Sequence, residues 1–407
     1  MIPERTLEGK FEGTRGALFL LALKTTLLTF FTLGVYRFWA KTRIRRYIWN
    51  ATQPNGEPFE YTGTGLEKFL GFLIAIVVLA VYLGVFNLGL TFFGLSLLDL
   101  FTDQPNEQLI LLQAGLTFGI FVFLLPFIYF AQYRGRRYMM SRTRWRGIRF
   151  GMDKGSLGYV VRAVLYSILS LLTLTALAPL MVFKLEKYKT DRTWYGTGQF
   201  QQGGRWTSLY RAYWPIPFGV LLFVVGGFVM TSSEGLGILV MVLAYIWLMI
   251  AIVHFRLQSF AIMARHKSLA DDVTFTAEPQ TPAVVGTYLL GTLMVILISI
   301  AAFIPVVLVG ILISVMMGSV GPAQLTGGQF PPTVIASGVI AAIFYVIALA
   351  VVAAAAMVYV TQPIYAHIVT SCALKHSGGL KEIRQRPGDE QADADGFADA
   401  LDVGGAF

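Results

Sequence analysis

The chain has 407 residues, 56% hydrophobic and 14% charged, with a mean hydropathy of +0.64 and a net charge of +9. A soluble domain of this length needs more polar residues to cover its surface, so a water-soluble globular fold is excluded. Cys372 is the one cysteine, which excludes an intramolecular disulfide.

The N-terminal stretch mixes Glu and Arg before a long apolar run. It lacks the basic n-region and short apolar core of a signal peptide, so the first run is read as retained. Apolar runs follow near 17–39, 69–98, 108–131, 157–183, 215–231, 236–262, 282–317 and 333–370. About 20 apolar residues match the hydrocarbon core of a bilayer. Such runs must be helical, because lipid offers no partner to free backbone groups. The fold class to expect is therefore an all-α polytopic membrane protein, with residues 1–387 as the membrane domain.

The connecting segments sort by charge. Those near 40–68, 132–156, 184–214 and 256–281 are rich in Lys and Arg, whereas 99–107, 232–235 and 318–332 have neither. The positive-inside rule puts the basic loops and the C-terminus in the cytoplasm. Residues 388–407 carry six acids and no Lys or Arg, so they read as an acidic, flexible tail. Removing those six charges from the net +9 leaves about +15 on the membrane domain. Topology explains that basicity more simply than nucleic acid does, so no nucleic-acid partner is expected.

Run 157–183 has basic segments on both sides, and run 17–39 poses the same conflict more weakly. Either one basic flank is external, or these runs are re-entrant helix pairs that enter and leave on the cytoplasmic side. The breaks at Thr32-Leu33-Gly34 and at Thr173–Pro179 favour the second reading.

The basic loops match one another. Arg43–Phe59 and Arg134–Phe150 share seven of seventeen positions without a gap. The pairs are Arg43/Arg134, Arg45/Arg136, Arg46/Arg137, Tyr47/Tyr138, Thr52/Thr143, Gly56/Gly147 and Phe59/Phe150. A third loop keeps Lys187, Tyr188, Thr193 and Phe200 at the same spacing, with its glycine, Gly196, one position early. A fourth retains Ser268 and Phe275. We read an internal repeat of helix pairs separated by basic loops, the Gly permitting positive φ and the Thr-to-Phe part forming small β-hairpins.

Residues 32–73 resemble the signature of the YjgN family of bacterial inner-membrane proteins. The matching features are Thr32-Leu33-Gly34, Tyr36, Phe38-Trp39, Arg43, Arg46-Tyr47, Thr52, Gly56, Phe59 and Tyr61 through Gly65. The resemblance implies the bacterial inner membrane and a polytopic helical fold, and it supplies no reaction.

For Lys24, Arg43, Arg45, Arg46, Arg134, Arg136, Arg137 and Arg162, two readings stand side by side. One is binding of an anionic lipid headgroup or solute. The other is ordinary topology determinants and snorkelling side chains. The spacing of Tyr47, Thr52, Gly56, Phe59, Tyr138, Thr143, Gly147, Phe150, Tyr188, Thr193 and Phe200 reads as structural. His254, His266, His367 and His376 have no metal-ligand spacing, and Cys372 reads as a small buried apolar residue. Pro126, Pro179, Pro305 and Pro363 fall in apolar runs and read as kinks or tolerated irregularities. Gly226-Gly227 suits close helix packing and Gly235-Leu236-Gly237 the external turn. No catalytic or metal-binding residues and no cofactor are indicated. The expected role is a transporter or permease for a small or lipid-like solute. The alternative is a scaffold recruiting a protein partner through its basic loops and tail.

Overall fold

In the computed structural model, residues 6–92, 107–270, 272–318 and 331–386 are described. The acidic tail at 388–407 and the loops at 99–106 and 319–330 lie outside them. The elements in chain order are β1 (Leu7–Glu8), α1 (Arg15–Phe31), α2 (Arg37–Ala51), β2 (Phe59–Tyr61), α3 (Gly65–Phe92) and α4 (Glu107–Ser141). Then come β3 (Thr143–Trp145), β4 (Ile148–Met152), α5 (Ser156–Leu172), α6 (Ala178–Thr190), β5 (Thr193–Tyr195) and β6 (Gly198–Gln202). The chain continues through α7 (Tyr210–Tyr213), α8 (Pro215–Ser232), α9 (Glu234–Ala264), β7 (Lys267–Leu269), β8 (Val273–Ala277) and α10 (Thr281–Gly318). It finishes with α11 (Pro332–Ala356), a π-helical turn (Met357–Thr361), α12 (Gln362–Thr370) and β9 (Cys372–Lys375).

Among the described residues, six helices are long and apolar enough to cross a membrane: Gly65–Phe92, Ala114–Ser141, Pro215–Ser232, Glu234–Ala264, Thr281–Gly318 and Pro332–Thr370. Their leucines, valines and isoleucines are largely exposed, as lipid-facing side chains are. The helical polytopic reading therefore stands.

The hairpins are not separate. Described strands join in one antiparallel nine-stranded sheet, ordered β1-β9-β8-β7-β6-β5-β4-β3-β2. Strand pairing between consecutive hairpins, as in Phe150 opposite Tyr195 and Phe200 opposite Leu269, satisfies backbone groups that an isolated hairpin would leave open.

The turn chemistry explains the matched glycines. Arg146 (φ 54) and Gly147 (φ 75) make a two-residue turn between Trp145 and Ile148, and Asn55 (φ 55) and Gly56 (φ 81) repeat those backbone angles. In the third loop the turn lies between Tyr195 and Gly198, and Gly196 (φ 53) takes the first central position instead of the second. That is why it falls one residue early in sequence.

The chain divides into two compact units. The first comprises 1–8, 59–279 and 372–407 and holds the whole sheet. One face of that sheet is apolar: Leu7, Trp145, Tyr195, Leu269, Val273, Leu380 and Ile383 are buried there with Phe59, Phe150, Phe200 and Phe275 against them. Leu380 and Ile383 come from the C-terminal segment, which straps this face. Thr197 N donates to the Arg384 carbonyl at 2.9 Å, and a Cβ at Gly196 would collide with that carbonyl. In the same unit α8 and α9 pair closely. Gly226 lies against Met241, and Gly237 lies inside α9 against Met230, so Gly237 permits helix packing instead of serving the turn. Pro126 and Pro305 sit inside helices, Pro179 occupies the first turn of α6, where proline costs no hydrogen bond, and Pro363 lies just past the π-helical turn within the continuous helix Pro332–Thr370. Cys372 is half-buried on β9, not in an apolar core.

The second unit comprises 9–58 and 280–371. Here α10 packs on α11, and α11 also contacts α1. Gly291 lets α10 approach the Tyr359 backbone.

Runs 17–39 and 157–183 each break where the sequence places a break. α1 and α2 are joined by a five-residue turn with Leu33 at φ 50 and Gly34 at φ 90. α5 and α6 are joined by another, with Leu174 at φ 48 and Thr175 at φ 69. Thr32 and Thr173 each donate a hydroxyl hydrogen bond to the carbonyl four residues back and accept from the N–H four residues on. α5 and α6 run antiparallel, with Ser167 near Met181 and Tyr188 near Gly155.

Candidate functional site

Beside the N-terminus of α5 a cavity of about 290 Å³ is lined by Tyr133, Arg134, Arg137, Lys154, Gly155 and Ser156. The end of α4 delivers the first three residues, the loop leaving β4 delivers Lys154 and Gly155, and α5 begins with Ser156. Three cations and no carboxylate line it.

Side-chain donors shape the loop. Arg137, only 8% exposed, donates from Nε to the Met152 carbonyl at 3.1 Å. Tyr133 donates to the Asp153 carbonyl at 2.8 Å, and Tyr188 to the Gly155 carbonyl at 2.9 Å. The Asp153 carboxylate accepts from Trp194 Nε1 at 2.8 Å and lies 3.9 Å from Arg386. Carbonyl oxygens are thereby held by donors, and the positive end of α5, which has no side-chain cap, is at the cavity.

Tyr133, Tyr159 and Tyr188 form an aromatic cluster behind this loop. Arg192 and Arg162 both pack over the Tyr188 ring, at 3.7 and 4.8 Å from its centroid. A Cβ at Gly158 would come within 2.6 Å of the Tyr188 hydroxyl, so any other residue there would have to shift that ring.

A second charged group lies nearby in the same unit. Glu186 accepts two hydrogen bonds from Arg136 Nη1 at 2.9 Å and pairs with Lys189 at 3.0 Å. Burial alone would raise the Glu186 carboxyl, but Arg136, Lys189 and Lys267 outweigh it and hold the group well below the usual carboxylate range. Burial pushes the Lys189 and Lys267 ammonium groups below their ordinary value, with Glu186 opposing.

The residues singled out in sequence are thus dispersed. Arg134 and Arg137 line the cavity, and Arg162 reaches it through Tyr188. Arg136 is neutralised by Glu186. Arg43, Arg45 and Arg46 belong to the other unit, where Arg43 packs over Tyr36 and the buried Arg45 over Trp49. Lys24 lies on α1 in that same unit and is exposed. Sequence reasoning missed Lys154, Gly155 and Ser156 as a site, and it missed Glu186. The signal for Glu186 was present: it replaces an arginine at the position matched by Arg45 and Arg136, a charge reversal that becomes an ion pair. Among the described residues no His, Cys, Asp and Glu group is arranged to hold a metal.

The residues forming both sites fall within a match, over residues 6–312, to the family described as "Bacterial protein of unknown function (DUF898)". The chain belongs to that family. It is similar to "Inner membrane protein YjgN" of Salmonella typhimurium, 27% identical over 177 residues, covering 41% of this chain and 39% of that protein. Two Escherichia coli proteins of that name are 29% identical over 143 residues (35% of this chain, 30% of theirs) and 28% identical over 149 residues (37% and 32%). The alignments thus span about two fifths or less of the relatives' length. No solved structure matches this chain.

Proposed function

We propose that this chain is an inner-membrane, permease-like protein for a small or lipid-like anionic solute, with its sheet and basic cavity facing the cytoplasm. The relatives' names support the membrane. The basic loops support the orientation, since Lys and Arg accumulate on the cytoplasmic side. Strand connectivity supports paired crossings. The chain leaves and rejoins the one sheet through α3 and α4, through α8 and α9, and through α10 and α11, two membrane-length helices each time. The α5–α6 hairpin is too short to be counted among those helices, and it returns to the adjacent strand. We read it as re-entrant, and the α1–α2 pair likewise.

The observation that carries the solute-handling reading is the basic cavity at the root of this short hairpin. The cavity's three cations and the uncapped N-terminus of α5 offer an anionic solute a positive site, as the helix ends of membrane carriers do. A direct test reconstitutes the full chain in phosphatidylcholine vesicles containing a trace of fluorescent phosphatidylglycerol. Transbilayer movement is then followed by quenching of the outer leaflet. Faster movement than in protein-free vesicles is the expected result. Equal rates, together with no uptake of labelled phosphate into the same vesicles, would sink the permease reading and leave the scaffold that recruits a partner through basic loops.

A further inference from the structure

We infer that the Arg134–Arg137–Lys154 cavity is a binding site for a phosphate group, carried by a lipid headgroup or free in solution. This deepens the permease reading by naming the ligand class of the same site, and it is tested by binding alone.

Charge is the first argument. Arg134, Arg137 and Lys154 line the cavity without a carboxylate among the lining residues, and the uncapped N-terminus of α5 adds its positive end. The Asp153 carboxylate, beside Lys154 in sequence, is turned to Trp194 and Arg386. Preorganisation is the second. The carbonyls of Met152, Asp153 and Gly155 would repel an anion, and each already accepts a hydrogen bond from Arg137, Tyr133 or Tyr188. Arg137 is nine-tenths buried and fixed through Nε, so its guanidinium needs little ordering on binding. The Ser156 hydroxyl supplies one further donor.

Size and selectivity follow. A volume of about 290 Å³ is at the small end of ligand cavities, which suits a phosphate with a modest substituent and not a whole lipid. Guanidinium and ammonium donors converging with a helix terminus match several oxygens around one charge centre, as phosphate presents them. The neighbouring basic group does not compete, because Arg136 is already paired with Glu186.

The experiment uses the full chain in phosphatidylcholine nanodiscs. One arm titrates inorganic phosphate by calorimetry. The other adds phosphatidylglycerol to the discs and measures lipid retained on the protein by native mass spectrometry. Phosphate binding in neutral discs identifies the free anion as a ligand, and retention confined to phosphatidylglycerol identifies the headgroup. Lys154→Ala, an exposed position, is expected to weaken either signal about tenfold, the loss of one charge-assisted hydrogen bond. Arg205→Ala removes equal charge from an exposed site outside the cavity and is expected to change neither signal. No binding in either arm, or equal losses in Lys154→Ala and Arg205→Ala, would overturn the inference. Binding with neither transbilayer movement nor phosphate uptake would overturn the permease reading alone.

Discussion

Glu186 holds one negative charge among three positive ones, and that imbalance sets its behaviour. Arg136 and Lys189 contact it directly, and Lys267 adds to the positive field. Its carboxyl is depressed in the folded state, so the unfolded chain binds more protons at acid pH. The stability it contributes is present above about pH 4.5, its unfolded value, and is lost as pH falls through the lower folded value. Glu186→Gln leaves the three cations uncompensated and should cost on the order of 3 kcal/mol. Lys267→Met in that background should recover part of the loss. Thermal unfolding in detergent at pH 7 and at acid pH checks both. The wild type should lose stability towards acid from this group and the variant should not. A Glu186→Gln midpoint equal to wild type at pH 7 would remove the argument.

The strands show what the matched motif is for. Phe59, Phe150, Phe200 and Phe275 come from β2, β4, β6 and β8, and successive rings along the sheet lie 6.1, 6.4 and 5.7 Å apart. Thr52, Thr143 and Thr193 each close the helix before the strand by donating to the carbonyl four residues back, at 2.9, 2.8 and 2.9 Å. A step of seven from Thr to Phe therefore carries the chain from a helix end, around a turn, to one apolar row. Phe150→Ala should cost on the order of 2 kcal/mol, below a full core value because the ring is half-buried. It should also weaken adjacent pairing, read as faster amide exchange at Tyr195 and Phe200. Unchanged exchange would argue that the row is incidental. The spacing was legible in sequence because turn, cap and row are local. Merging of the hairpins was not, because pairing partners such as Gln202 and Lys267 are far apart along the chain.

At the scale of the molecule, both segments flanking the α5–α6 hairpin contribute adjacent strands, β4 and β5. Reporter tags or cysteine labelling in 132–156 and 184–214 should therefore report the same side of the membrane, with 232–235 on the other. Opposite sides for the first two would break the re-entrant reading and the cytoplasmic placement together. The apolar runs, the basic loops, the helix breaks at Thr32 and Thr173 and the turn glycines are one-dimensional facts. Lipid, charge asymmetry and allowed φ act on each segment separately, so the sequence alone determined them. The cavity and the Glu186 cluster were decided only by tertiary structure. They depend on which helix end the β4–α5 loop meets and on which lysines surround one carboxylate. Nearly identical arginines met different fates: Arg137 lines the cavity, Arg136 is paired, and Arg45 is buried against Trp49. Residue type sets what a guanidinium can bind, and only packing sets what it finds there.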